Sequence, residues 1–72
     1  MNAITQFGER VRTKREQLGA TFDDISLFSQ IDPERLSLIE QGRDKTINAL
    51  EITRLAFALG VTYEYLMFGK GA

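Results

Sequence analysis

The sequence predicts an all-α domain of five short helices, and three observations support that fold class. Apolar residues recur at spacings of three and four positions, as they do along the buried side of a helix. Capping residues and glycines separate these segments from one another. No alternating strand pattern, internal repeat or low-complexity segment competes with the helical pattern. The predicted helices cover about residues 4–18, 22–29, 33–41, 47–59 and 63–68.

The first predicted helix is amphipathic and ends at Gly19. Its other faces carry charged and polar residues, so we expect it to pack on the bundle with one side only. The apolar positions of that side are Ile4, Phe7, Val11 and Leu18.

The segment from Thr21 to Gly42 predicts two helices joined by a tight turn. Thr21 is a good N-cap, and Asp24 three residues later can complete a capping box. Asp32 is a second good cap, and Pro33 follows at the first helical position, where a missing N–H costs nothing. Two helices of about eight residues with so short a connection cross steeply, as in a helix-turn-helix unit. One use of this unit is to place its second helix in the major groove of DNA.

A polar loop over residues 42–46 precedes the last two predicted helices. The fourth ends at Gly60, and Thr62 caps the fifth, in which Leu66 is the expected core residue. The apolar positions of the fourth helix are Leu50, Ile52, Leu55, Ala56 and Leu59.

Length and composition exclude several classes of function. Seventy-two residues make one domain over 1–72, near the lower limit for an unassisted core. Without cysteine or histidine, the chain has no disulfide framework, zinc site or histidine-based catalysis. Carboxylates remain, but no pair of them is placed in a plausible cleft, so an enzyme is not expected, and neither is a metal, cofactor or small-molecule ligand. No apolar run approaches the ~20 residues of a membrane span, and the N-terminus lacks signal-peptide features. Cytoplasm is therefore the expected compartment.

The charge distribution is uneven along the chain. A net charge of −1 counts against a protein that coats DNA non-specifically. Most of the lysines and arginines lie at or before Lys45, and only Arg54 and Lys70 follow. The sequence therefore predicts one positive end of the molecule, which site-specific DNA binding requires.

Taken together, these segments resemble the phage repressor and Cro group of helix-turn-helix proteins, the Xre family. The likeness runs from Phe7 to Gly69, through FGERVRTKREQLG in the first helix, IEQG at the end of the third, and LAFALGV, which matches the family's LA-x-ALGV signature. It implies a lambda-repressor-like bundle that binds double-stranded DNA. It also implies an ion pair between Arg15 and Glu40 that joins two helices and sets their angle. The alternative for both residues is an ordinary solvated surface charge.

The second helix departs from the family pattern. Phe22 stands where a glutamine usually braces phosphate, and Gln30 replaces the turn glycine, which adopts a positive φ more comfortably. Ser29 replaces an apolar anchor, with Leu27 and Phe28 beside it. We therefore expect the helix either to be rotated or to offer apolar surface to a partner.

The first turns of the third helix are expected to face the bases. Arg35 is the candidate for a bidentate contact to guanine, Leu38 for a thymine methyl, and Glu34 for a cytosine amino group. For each of these side chains, the alternative is an ordinary exposed surface residue. The full set of predicted base-contacting residues is Pro33, Glu34, Arg35, Ser37 and Leu38.

Phosphate contacts are expected from two sources around that helix. The amides at the start of the second helix, near Thr21 and Phe22, can bind phosphate because the helix dipole favours an anion there. Lys14 in the first helix, with Arg43 and Lys45 after the third, can flank the same groove. Each of these three side chains could equally be an ordinary solvated lysine or arginine.

A homodimer is expected, because one small domain would bind a half-site weakly. The last helix is unusually apolar for a chain end, although it could merely close the bundle. The predicted interface residues are Val61, Tyr63, Tyr65, Met67 and Phe68.

Two functional hypotheses follow. The first is a dimeric transcriptional repressor that reads a pseudo-palindromic operator with its third helix, whether as a controller protein, an autoregulating antitoxin or a phage-type repressor. The second is a protein-interaction module on the same fold with little DNA binding. Asp32, Glu34 and Leu38 on the third helix, together with Phe22, favour the second hypothesis. The first accounts for the whole pattern better.

Overall fold

The computed structural model describes residues 2–71, which form five helices and no strand. They are α1 (Ala3–Gln17), α2 (Phe22–Ser29), α3 (Pro33–Glu40), α4 (Ala49–Leu59) and α5 (Tyr63–Phe68). The predicted all-α fold class is confirmed. The predicted start of the fourth helix at 47 was wrong, because Asn48 caps that helix. The ends of α1 and α3 each fall one residue before the predicted position. Within this range, no helix combines the length and apolar character that crossing a bilayer requires.

The core lies where α1 packs against α3 and α5, and where α2 packs against α3 and α4. Two predicted core positions were wrong. Leu18 is 57% exposed because it lies at the C-cap of α1, beyond the packed turns. Leu50 is 58% exposed because it lies on the side of α4 away from Ile52. The most completely buried apolar side chains are Val11, Ile31, Leu36, Ile39, Leu55 and Leu66.

Capping hydrogen bonds set the starts of α2 and α4. The Thr21 hydroxyl accepts from the Asp24 amide, and the Asp24 carboxylate accepts from the Thr21 amide, so the expected capping box is present. Asn48 and Glu51 make a second box at α4. Asp32 occupies the N-cap position of α3, but its side chain accepts no capping hydrogen bond, so its predicted role was wrong.

The turn between α2 and α3 keeps the helix-turn-helix geometry despite its substitutions. Gln30 adopts the left-handed conformation (φ 61°), where glycine is the usual residue. Ser29 is fully buried, and its hydroxyl accepts a hydrogen bond from the Ile31 amide. Leu27 and Phe28 are 77% and 66% exposed. The anchor position is therefore buried with serine in it, and the helix offers apolar surface to solvent.

Gly8 marks the closest approach of α1 to α3. It is buried in the middle of a helix, where glycine is otherwise unfavourable. A Cβ atom at this position would overlap the carbonyl oxygen of Ile39 and lie 2.8 Å from that of Glu40. The absence of a side chain therefore lets the end of α3 rest directly on α1.

Candidate nucleic-acid interface

The outward face of α3 is the part of the helix-turn-helix that could enter a groove. Leu36, Ile39 and Glu40 face the core, and Pro33 is half-buried at the start of the helix. Helical spacing places four residues on the opposite side, where Glu34 is exposed and Leu38 is 39% exposed. We define the outward face as Glu34, Ser37, Leu38 and Gln41.

Gln41 belongs to this face, although it is not among the predicted base-contacting residues. Its side-chain amide donates to the Ser37 hydroxyl, with 2.9 Å between Nε2 and Oγ. Helical spacing alone indicates that Gln41 lies on this face, because it comes four positions after Ser37 and seven after Glu34. Together Ser37 and Gln41 provide hydrogen-bonding groups beside the apolar Leu38.

An ion pair between Arg15 and Glu40 holds the C-terminal end of α3. Nε of Arg15 lies 2.6 Å from Oε2 of Glu40, and Nη2 lies 3.0 Å from Oε1. Nη1 also donates to the carbonyl oxygen of Ala20 at 3.0 Å. The hydrogen bond to Glu40 raises the pKa of Arg15. The pair implied by the family resemblance is present, and it joins α1 to the end of α3.

Phe22 packs against that ion pair. The guanidinium carbon of Arg15 lies 4.3 Å from the centre of the Phe22 ring, a cation–π arrangement. The ring is half-buried. The residue that replaces a phosphate-bracing glutamine therefore supports the joint between α1 and α3 with its side chain, and only its backbone amide is suited to an anion.

Arg35 does not project from the outward face. Nε lies 2.8 Å from Oδ2 of Asp44, Nη1 lies 2.6 Å from Oε2 of Glu51, and Nη2 lies 3.2 Å from Oε1 of Glu51. A guanidinium held by two carboxylates is not free to read a guanine. The structure thus speaks against the base-contacting role predicted for Arg35 and places it at the junction of α3, the following loop and α4.

The carboxylates of this junction are stabilised in their charged forms. Burial would raise the pKa of Asp44, but hydrogen bonds from Arg35 and Thr46 outweigh it and lower the pKa to about 2. The hydrogen bond from Arg35 also lowers the pKa of Glu51. Both groups and Arg35, whose pKa is raised, stay ionised at neutral pH. The junction is therefore a permanent charge network.

The predicted phosphate-contacting residues fall into two groups. Arg43 and Lys45 are exposed in the loop after α3, as the prediction requires. Lys14 is half-buried, and its ammonium lies 5.1 Å from the centre of the Tyr65 ring in α5. Its position against α5 does not favour the predicted phosphate contact.

The N-terminal end of α2 has both attractive and repulsive features for an anion. The capping box uses the amides of Thr21 and Asp24, so the amides of Phe22 and Asp23 remain without an intrahelical acceptor. The carboxylates of Asp23 and Asp24 place negative charge at the same end. The predicted contact near Thr21 and Phe22 therefore reduces to two backbone donors.

The predicted dimer residues are partly used within the chain. Arg10 donates from Nε to the Leu66 carbonyl and from Nη2 to the Met67 carbonyl, both at 3.0 Å, and so holds the end of α5 against α1. Phe68 is 63% exposed. The half-buried members of the set are Val61, Tyr63, Tyr65 and Met67.

The sequence matches the family described as "Helix-turn-helix domain" over residues 8–72. The HTH-type transcriptional repressor RghR of Bacillus subtilis (strain 168) is 34% identical over 68 residues, which is 94% of this chain and 50% of RghR. The chain thus spans about half the length of the curated relatives it matches.

Two solved structures with similar folds are regulators. The restriction-modification controller protein C.AhdI of Aeromonas hydrophila has a TM-score of 0.81 and 25% identity, over 88% of this chain and 94% of that protein. The P22 c2 repressor, solved in complex with a synthetic operator, has a TM-score of 0.82 and 23% identity, over 89% of this chain and 96% of that protein. At such identity, the P22 c2 likeness establishes the shared fold.

Proposed function

Because the chain belongs to the helix-turn-helix family of the phage-repressor type, we propose that it is a sequence-specific DNA-binding transcriptional regulator. The outward face of α3 is the observation that carries this proposal. That face is accessible and mixed in chemistry, and the Arg15–Glu40 pair fixes its angle to the bundle. RghR is named a repressor and P22 c2 was solved on an operator, so we extend repression by operator occupancy, without catalysis, to this chain.

We propose that base reading comes from the outward face and the start of α3. Leu38 can contact a thymine methyl, and Gln41 can pair with adenine through its amide. Glu34 can accept from a cytosine amino group, while Ser37 can use its hydroxyl with several bases. Pro33 contributes only contact area at the start of the helix.

Phosphate contacts are proposed for Arg43 and Lys45, with the amides of Phe22 and Asp23 as neutral donors. Two copies would then neutralise about four phosphates, which gives a slope of log affinity against log salt of about −3.6. Such a slope is shallow for a DNA-binding protein. It fits a chain whose net charge is −1.

A homodimer is part of the proposal, since two half-sites about one helical turn apart would compensate for weak half-site binding. Phe68 is the most exposed residue of the proposed α5 interface. A pseudo-palindromic operator follows from the two-fold symmetry of such a dimer. We expect this binding to take place in the cytoplasm.

The alternative is a protein-interaction module, and the exposure of Leu27 and Phe28 favours it. Apolar groups of this size commonly mark an interface when they cluster. Asp23 and Asp24 add negative charge to the same helix, which DNA would not favour.

Selection of bound sites from random duplex DNA tests the proposal. We expect an enriched sequence with two-fold symmetry, and an affinity for it that falls with salt at a slope near −3.6. Leu38→Ala should change the enriched sequence, whereas Arg12→Ala, which removes an exposed arginine of α1, should not. Absence of salt-dependent retention on any duplex would favour the interaction module, and retention without sequence enrichment would contradict sequence-specific binding.

A further inference from the structure

Arg35 connects three segments that meet beside the candidate interface. It lies in the middle of α3, and its guanidinium reaches Asp44 in the following loop and Glu51 in the first turn of α4. Thr46 joins the same network, because its amide and its hydroxyl both donate to Oδ1 of Asp44, at 2.8 and 2.7 Å. Glu51 simultaneously accepts from the Asn48 amide in the α4 capping box. One arginine thus links α3 to the start of α4.

The loop between α3 and α4 carries two exposed basic residues, Arg43 and Lys45. Its first residues are fixed by the end of α3, where the Gly42 amide donates to Ile39 and the Arg43 amide donates to Leu38, a Schellman motif. Its middle is fixed by Asp44, which lies between the two basic residues in sequence and whose side chain is 6% exposed. The backbone on both sides of Arg43 and just before Lys45 is therefore held.

We propose that Arg35 is a positioning residue for DNA binding, which holds Asp44 and Glu51 and so keeps the loop that carries Arg43 and Lys45 in a fixed position after α3. The inference rests on the proposed function. The sequence predicts that the Arg35 side chain reads a base. The proposal instead gives this side chain the role of holding the loop. Arg35 would act on DNA only through the loop.

Arginine is suited to this task because its planar fork bonds two carboxylates at once, which a lysine ammonium does not reproduce. Without it, Asp44 and Glu51 would be two neighbouring anions with no cation between them. Asp44 would then gain by moving into water, because a buried charge without a partner is costly. The loop would move with it, and Arg43 and Lys45 would no longer keep a fixed position.

The first test compares Arg35→Lys, Asp44→Asn and Arg12→Ala in the full chain, on the enriched DNA site. If Arg35 positions the loop, Arg35→Lys and Asp44→Asn both weaken binding by about tenfold and make the salt slope shallower by about 0.9 for each phosphate that is no longer neutralised. The control Arg12→Ala leaves affinity within about twofold. The pair of substitutions Arg43→Ala and Lys45→Ala should then weaken DNA binding by the Asp44→Asn variant much less than it weakens DNA binding by the unaltered protein.

The direct-contact alternative gives the opposite sign for Asp44→Asn. That substitution leaves the Arg35 guanidinium bonded to Glu51 alone and removes a negative charge near the DNA, so binding would tighten or stay unchanged. Arg35→Lys alone would then change the enriched base at one position per half-site. Either result overturns the positioning role.

A second test needs no DNA, so it separates failure of this inference from failure of the proposed function. Trypsin cleaves after lysine and arginine, and Arg43 and Lys45 lie in the loop that the network holds. We expect Arg35→Lys and Asp44→Asn to raise cleavage at these two positions by about tenfold, while Arg12→Ala leaves it unchanged. Thermal unfolding of each variant shows that the whole domain remains folded during digestion. Unchanged cleavage in both variants contradicts the inference, whether or not the protein binds DNA.

Discussion

Removing the arginine of the Arg15–Glu40 pair is expected to lower the free energy of unfolding more than removing the glutamate does. Arg15→Met would leave the Glu40 carboxylate, whose side chain is 5% exposed, without its cation. A buried charge without a partner costs about 3–5 kcal/mol, and partial access of water places this case near 3 kcal/mol. Glu40→Gln would leave Arg15, which is 16% exposed, bonded to the Ala20 carbonyl and stacked on Phe22. We expect a loss of about 1–2 kcal/mol there.

Urea unfolding measures both values, with the midpoint shifted and the slope m unchanged. For a domain of this size, about 3 kcal/mol lowers Tm by about 12–24 °C. The double variant Arg15→Met with Glu40→Leu should recover most of the stability, because an apolar pair of similar volume replaces the ion pair. Arg12→Met is the matched control and should stay within about 0.5 kcal/mol. If Arg15→Met costs no more than Arg12→Met, the pair does not hold α1 to α3.

Three further predictions concern the backbone and the charge network. Gly8→Ala should lower the free energy of unfolding by at least about 1 kcal/mol despite better helix propensity, because the added methyl overlaps the Ile39 carbonyl oxygen; a stabilised variant in urea unfolding would refute the close approach. Gln30→Gly should stabilise the domain by about 0.5–1 kcal/mol by relieving the positive φ, and a loss of stability in thermal melts would contradict this reason. The lowered pKa of Asp44 means that its charged form stabilises the fold above pH ~4 and that this stability is lost as the pH falls through about 2. Asp44→Asn should therefore flatten the acid limb of a stability–pH curve by about 2 kcal/mol, and an unchanged limb would count against the network.

The sequence was sufficient for the fold because its signals are local. Helical spacing, the Thr21–Asp24 capping box and the glycines that end helices all act within a few residues of one another. The Arg15–Glu40 pair was accessible through the family resemblance, although its members lie 25 positions apart.

The candidate interface was less predictable because tertiary contacts decide which side chains are free. Arg35 has the right type and position to read a base, but its carboxylate partners lie 9 and 16 residues away in sequence. The sequence predicts a phosphate contact for Lys14, but its ammonium lies over the ring of Tyr65, which is in the last helix. No local pattern reports such long-range pairings. Gly8 is a similar case, since only the docking of α3 explains a glycine inside α1.

NMR titration of the amide signals with the enriched duplex shows whether the outward face of α3 is the surface that meets DNA. We expect the largest shifts at Ser37, Leu38 and Gln41, followed by those at Arg43 and Lys45, and we expect all of them to become smaller as the salt concentration rises. Shifts confined to Leu27 and Phe28 of α2, with the α3 signals unmoved, would contradict this role of the outward face.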